Sequence, residues 1–213
     1  MNFKYYKSSS LLPSILIMGV GYGVLAGKIQ EFLKDHSTLT QINEYIGIFS
    51  TIGLITLTFL FINNIGWKWG IFKWLIDIPN LNGRYKGELI SSFLDANGQP
   101  VVKDCVIEIK QTGSSIHVFS YYGDKGTNTQ SSRAYSVSEE LVEEKNGLFQ
   151  LFYIFTNEPD TLITQLNNHS GTAKFKYYPD IKKLDGDYYN QRQNIGTIKV
   201  TFEQNKLLGR LIK

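Results

Sequence analysis

The chain is poor in the residues that usually carry chemistry. Its 213 residues include one cysteine, Cys105, which excludes an internal disulfide framework and suits a reducing compartment. The histidines, His36, His117 and His169, are scattered, and none stands at metal-ligand spacing. Asp185-Gly186-Asp187 resembles part of a calcium loop without the remaining ligands, and reads as a hairpin rim. Nothing in the pattern asks for catalysis, a metal or another cofactor. An excess of one charge is missing too. The formal charge is +3, and from residue 78 onward 16 basic residues face 15 acidic ones. A long nucleic acid calls for a basic stripe, so it is not an expected partner.

Charge is also absent from two long stretches, and these organise the chain. Residues 45–67, YIGIFSTIGLITLTFLFINNIGW, contain no charged side chain. About 20 apolar residues at helical rise span a bilayer core, so this run reads as a transmembrane helix rather than a buried core helix. Its scattered Ser and Thr hydroxyls can bond back to the helix backbone. Trp67, Trp69 and Trp74 follow with Lys68 and Lys73 interleaved, a composition that seats a helix end at the headgroup level. The earlier run, with its apolar part at 11–27, is shorter and glycine-rich. Gly19, Gly23 and Gly27 stand four apart and share one helix face, a doubled G-x-x-x-G that lets another helix approach closely. That partner is either the second helix of the same chain or a second copy of it. A cleaved signal peptide ending at Ala26 is the competing reading of this segment. The connector 28–44 carries mixed charge and a capping box at Thr38 and Gln41. Lys4, Lys7, Lys68 and Lys73 flank the pair on the outside, which places both termini in the cytoplasm. Residues 1–75 thus read as a two-helix membrane anchor, with helices at about 11–28 and 45–66, and therefore as a multi-pass protein in contact with membrane lipid.

From residue 76 to 213 the pattern changes to short alternating runs separated by turn residues. Strands are expected at 83–92, 101–112, 115–122, 132–141, 148–156, 173–178, 183–191 and 196–204, with 160–171 unassigned between helix and loop. About eight strands in this length predict a small antiparallel up-and-down β-barrel, since closure removes exposed edges. Alternate residues then face inward. Tyr85, Gly87, Leu89 and Ser91 share one face, leaving Arg84, Lys86 and Glu88 to solvent. Cys105 falls on an apolar face and reads as a core residue. If Leu184 points inward, so do Tyr188, Asn190 and Arg192, and an inward polar row needs a polar guest. Tyr offers a stacking plane, Asn reads a donor–acceptor edge, and Arg forks onto phosphate. Arg133 with Tyr135, and Lys174 and Lys176 with Tyr178, repeat the theme, unless each lies on a solvated outer face.

Two motifs bracket the barrel: Leu81-x-Gly83-x-Tyr85-x-Gly87 and Gly186-x-Tyr188-x-Asn190-x-Arg192. With the two-helix anchor before them, the chain resembles the two-transmembrane, minimal β-barrel effectors of bacterial CBASS antiphage systems. Tyr85 stands where related sequences often have Trp, and the opening motif is also similar to the lipocalin G-x-W. The resemblance implies a receptor in the cell inner membrane rather than an enzyme. Its barrel would bind a cyclic dinucleotide made by a partner nucleotidyltransferase. Binding would drive homo-oligomerisation of the hairpins through Gly19, Gly23 and Gly27, disrupt the membrane and kill the infected cell. Arg192 would hold phosphate, Tyr188 would stack a base, Asn190 would bond an edge, Tyr85 would support the barrel end and Arg133 would be a second phosphate contact. Two alternatives remain at this point: a tethered lipocalin-like barrel for an apolar ligand, and a filled barrel serving as a scaffold.

Overall fold

A computed structural model describes residues 2–33, 41, 50–127, 129–160 and 167–212. The chain divides into two compact units, Met1–Ile78 with Thr112–Ser115, and Pro79–Gln111 with Ile116–Lys213. Each is taken by itself.

The first unit is built on two helices, α1 (Ser8–Leu33) and α2 (Thr51–Asn64). In α1, the 22 residues Ser8–Ile29 are long and apolar enough to cross a membrane, and helix continues unbroken through Ala26. The described part of α2 is apolar but only 14 residues long. Thr38 of the expected capping box and residues 45–49 lie outside the described residues. Ser50 caps α2, its hydroxyl accepting from the Gly53 N–H at 3.1 Å. Leu11, Ile15 and Met18 of α1 share one apolar cluster with Ile55, Phe59 and Ile62 of α2. Tyr22 continues the α1 stripe, its hydroxyl 2.8 Å from that of Thr58. Spacings of three and four put these α1 residues on one helix face. The glycine stripe lies on another. Among the described residues, a Cβ at Gly19 or Gly27 would meet nothing within 4 Å, and one at Gly23 would meet the Thr51 hydroxyl of α2 at 3.9 Å.

The tryptophan reading needs correcting. Trp67 is not an interfacial belt residue but is 3% exposed, clustered with Tyr6, Phe59, Ile62, Leu75 and Ile76. Two 3₁₀ turns, Gly66–Lys68 and Gly70–Phe72, fold the chain back after α2, and Tyr6 then bridges Ile76. Trp69 and Trp74 remain exposed.

The second unit is a closed antiparallel barrel of β1 (Gly83–Leu94), β2 (Pro100–Gln111), β3 (Ile116–Asp124), β4 (Gln130–Glu143), β5 (Phe149–Pro159), β6 (His169–Tyr178), β7 (Lys183–Asn190) and β8 (Ile195–Gln204). Each strand pairs with its sequence neighbour, and β8 returns to β1. The expected alternation thus produced the expected architecture. The largest boundary difference is at β6, which starts at His169 because β5 is long enough to pair Asn157 with it. Residues 161–166 of the unassigned stretch lie outside the described residues.

Two motif glycines explain how so small a barrel closes. A Cβ on Gly87 would sit 1.9 Å from the Lys199 carbonyl oxygen, and one on Gly186 would sit 1.9 Å from that of Lys174. Glycine at such points lets a strand coil tightly against its neighbour. Asp185-Gly186-Asp187 is therefore not a hairpin rim; it lies within β7.

One end of the barrel is filled. Leu81, Tyr85, Ile107, Ile109, Leu151, Phe175 and Leu184 are all almost fully buried there. The Tyr85 hydroxyl donates to the Leu81 carbonyl at 3.0 Å, and its ring meets Phe202 edge-on. Outside, the C-terminal segment after β8 straps the wall and overturns the solvent reading of Arg84, which is 1% exposed. Its guanidinium lies 2.8 Å from both Glu108 and Glu203 and donates to the Arg210 and Leu211 carbonyls at 2.6 Å. Glu108 in turn accepts from the Leu208 and Gly209 N–H groups. A strand-by-strand period cannot show that a distant segment covers an outward position.

Candidate ligand-binding site

An up-and-down barrel sends alternate connections to the same end. The β1–β2, β3–β4, β5–β6 and β7–β8 connections gather at the end opposite Tyr85, and a cavity of about 440 Å³ opens there. That volume falls within the roughly 300–1,000 Å³ of small-molecule sites. Leu89, Val101, Tyr122 and Phe155 form its apolar wall, while Lys103, Asp124, Asn157, His169, Asn190 and Arg192 supply polar groups. A larger hollow, about 690 Å³, lies on the outer wall beside the exposed Phe152, Ile154, Tyr189 and Ile195, with Lys174 as its cation. The mouth of the barrel carries two cations, Lys103 on β2 and Arg192 in the β7–β8 turn.

Tyr188, Asn190 and Arg192 do come together at this cavity. Burial raises the Tyr188 phenol above its ordinary pKa, opposed by its hydrogen bond with Ser91. Its ring is a neutral surface, half-buried and available to stack. The Asn190 Oδ1 accepts from the Arg192 and Asn194 N–H groups at 3.0 and 3.2 Å, holding the β7–β8 turn. Its Nδ2 lies 3.4 Å from His169 Nε2. The Arg192 guanidinium donates to the Asn167 carbonyl, which holds the fork at the rim.

The other two expected residues lie elsewhere. Tyr85 faces inward at the filled end, where it supports the barrel floor. Arg133 is on the outer wall, its Nε 2.7 Å from Glu158 and its side chain 65% exposed. Parity explains this placement: Ala134 and Ser120 form the inward pair in the β3–β4 register, leaving Arg133 and Tyr121 outward.

Sequence reasoning missed three residues of the cavity. Lys103 lies on the same face of β2 as Val101, Cys105, Ile107 and Ile109, and a charge on that apolar face was the available signal. Its Nζ is 2.8 Å from Asp124 and 3.3 Å from the Ser131 hydroxyl. His169 and Asn157 stand directly opposite each other on β6 and β5. Burial, reinforced by the Arg192 charge, holds the His169 imidazole below its usual pKa. No local signal marks either residue, because their juxtaposition is a matter of register. Cys105 is fully buried below the cavity and its thiol is pushed up by that burial, so it is core and not a nucleophile.

Residues 76–202 match a family model described as Cap15, cyclic dinucleotide receptor domain. Over 178 residues the chain is 25% identical to CD-NTase-associated protein 15 of Yersinia aleksiciae, covering 80% of this chain and 78% of that protein.

Proposed function

The chain belongs to the Cap15 cyclic dinucleotide receptor family, and on that premise we propose that it is a membrane-anchored CBASS effector whose barrel mouth takes up a cyclic dinucleotide from a partner nucleotidyltransferase. The observation that carries the reading is the cavity itself. It combines a stacking ring (Tyr188), a guanidinium (Arg192) and an ammonium (Lys103) around a hollow of ligand size. A compact dianion with two flat bases presents the complementary groups. The charged rim, Lys103 and Arg192 against Asp124, also distinguishes this reading from a lipocalin-like site for an apolar ligand.

The effector step follows from the first unit. α1 crosses the membrane and the charge-free stretch that contains α2 returns through it, so that both termini are cytoplasmic. Gly19, Gly23 and Gly27 share one face of α1, and this stripe receives the same stripe of another copy. Ligand-driven assembly through it disrupts the inner membrane.

The direct test is thermal unfolding of the full-length chain in detergent with a panel of cyclic di- and trinucleotides. One cyclic dinucleotide should raise the melting temperature, by an amount corresponding to about 2.7 kcal/mol when present at 100 times its Kd. Arg192→Ala should abolish the shift. A folded wild-type chain that responds to none of the panel would overturn the receptor reading.

A further inference from the structure

Asn190 holds a turn with its side-chain oxygen, so the cavity's other buried carboxamide, Asn157, merits comparison. Asn157 is 7% exposed and lines the cavity from β5. Its Oδ1 has no hydrogen-bond partner among the described residues. Facing it across the β5–β6 register stands His169, whose Nε2 lies 3.4 Å from Asn190 Nδ2. A buried acceptor is costly to leave unmade, so a ligand that enters the cavity is favoured if it brings a donor to this oxygen. Every nucleobase carries an N–H donor on its pairing edge, whereas phosphate oxygens do not donate. The orphan acceptor therefore fits a base N–H or a ribose hydroxyl, not the phosphates that Arg192 and Lys103 attract, and only the base differs between cyclic dinucleotides of one linkage.

We infer that Asn157 determines which base this receptor accepts, its Oδ1 taking a hydrogen bond from a base N–H while the adjacent amide donates to a neighbouring acceptor on the same base. The inference rests on the receptor reading above. A carboxamide matches an edge that sets a donor beside an acceptor, as adenine does. A carboxylate in its place only accepts, and so matches the two adjacent donors of guanine, N1–H and the 2-amino group.

Calorimetric titration of the full-length chain in detergent with cyclic di-AMP, cyclic di-GMP and cyclic di-UMP tests this. Asn157→Asp should change the ratio of affinities across the panel by about 10-fold, in favour of cyclic di-GMP. Arg192→Ala should weaken every member by a similar factor. Asn157→Leu provides the second readout. Without ligand it should melt no lower than wild type, since it removes an unpaired buried group, yet it should lose binding. An unchanged ratio in Asn157→Asp, or a clearly lower melting temperature in Asn157→Leu with binding intact, overturns the inference and leaves the receptor reading standing. Failure of the wild-type chain to bind any member overturns both.

Discussion

At the scale of single residues, Arg84 in the outer wall and His169 in the cavity each bear on stability. Arg84 is enclosed by Glu108, Glu203 and two tail carbonyls. Removing one member of a buried ion pair leaves an uncompensated charge and costs about 3–5 kcal/mol. Arg84→Ala should therefore lower the urea midpoint strongly, and Arg84→Lys should recover little of the loss, because an ammonium cannot reproduce the planar fork. A near-wild-type midpoint for Arg84→Ala would show that the strap does not depend on it. His169 makes a pH prediction. Burial, with the Arg192 charge, holds its folded pKa below the ordinary imidazole value of 6.5. Between the two values the unfolded chain holds a proton that the native chain lacks. Stability is then full above about 6.5 and falls as the pH drops below it. Urea midpoints at neutral and mildly acidic pH should show this decline, and His169→Asn should flatten it. An identical decline in the variant would assign it to other groups.

At the scale of elements, the period-2 alternation located all eight strands, because a strand with one buried face must repeat every second residue. Boundaries shifted where pairing partners extended them, as at His169. Tight coiling depends on Gly87 and Gly186, where an added methyl would overlap a neighbouring carbonyl oxygen. Gly186→Ala should destabilise the chain on the order of 1–3 kcal/mol, the usual cost of overpacking. It should also weaken ligand binding, since β7 carries Tyr188 and leads into Arg192. Chemical denaturation and titration of the same sample measure both effects. In α1, replacing Gly19, Gly23 and Gly27 together with Leu should spare ligand binding in monomeric detergent samples and abolish leakage from liposomes carrying the full-length chain. Undiminished leakage would exclude this stripe as the assembly seam.

At the scale of the whole molecule, a ligand can drive assembly only if it binds the assembled form more tightly, and moving the population from 1:99 to 99:1 takes about 10⁴-fold preference. Linkage then requires that assembly raise ligand affinity by the same factor. Affinity measured in assembled bilayer samples should exceed that in monomeric detergent samples, and the triple glycine variant should show no difference between them. Composition and periodicity suffice for the apolar first unit, the eight-stranded barrel and the row Tyr188–Asn190–Arg192, because hydrophobic runs and alternation are local consequences of burial. Strand closure and register settle the rest. They put Lys103, Asn157 and His169 beside that row, turn Arg133 outward and bury Arg84 under the chain's own tail. These positions depend on which residues of distant strands face one another, and a one-residue change of register would send each to the opposite side of the wall.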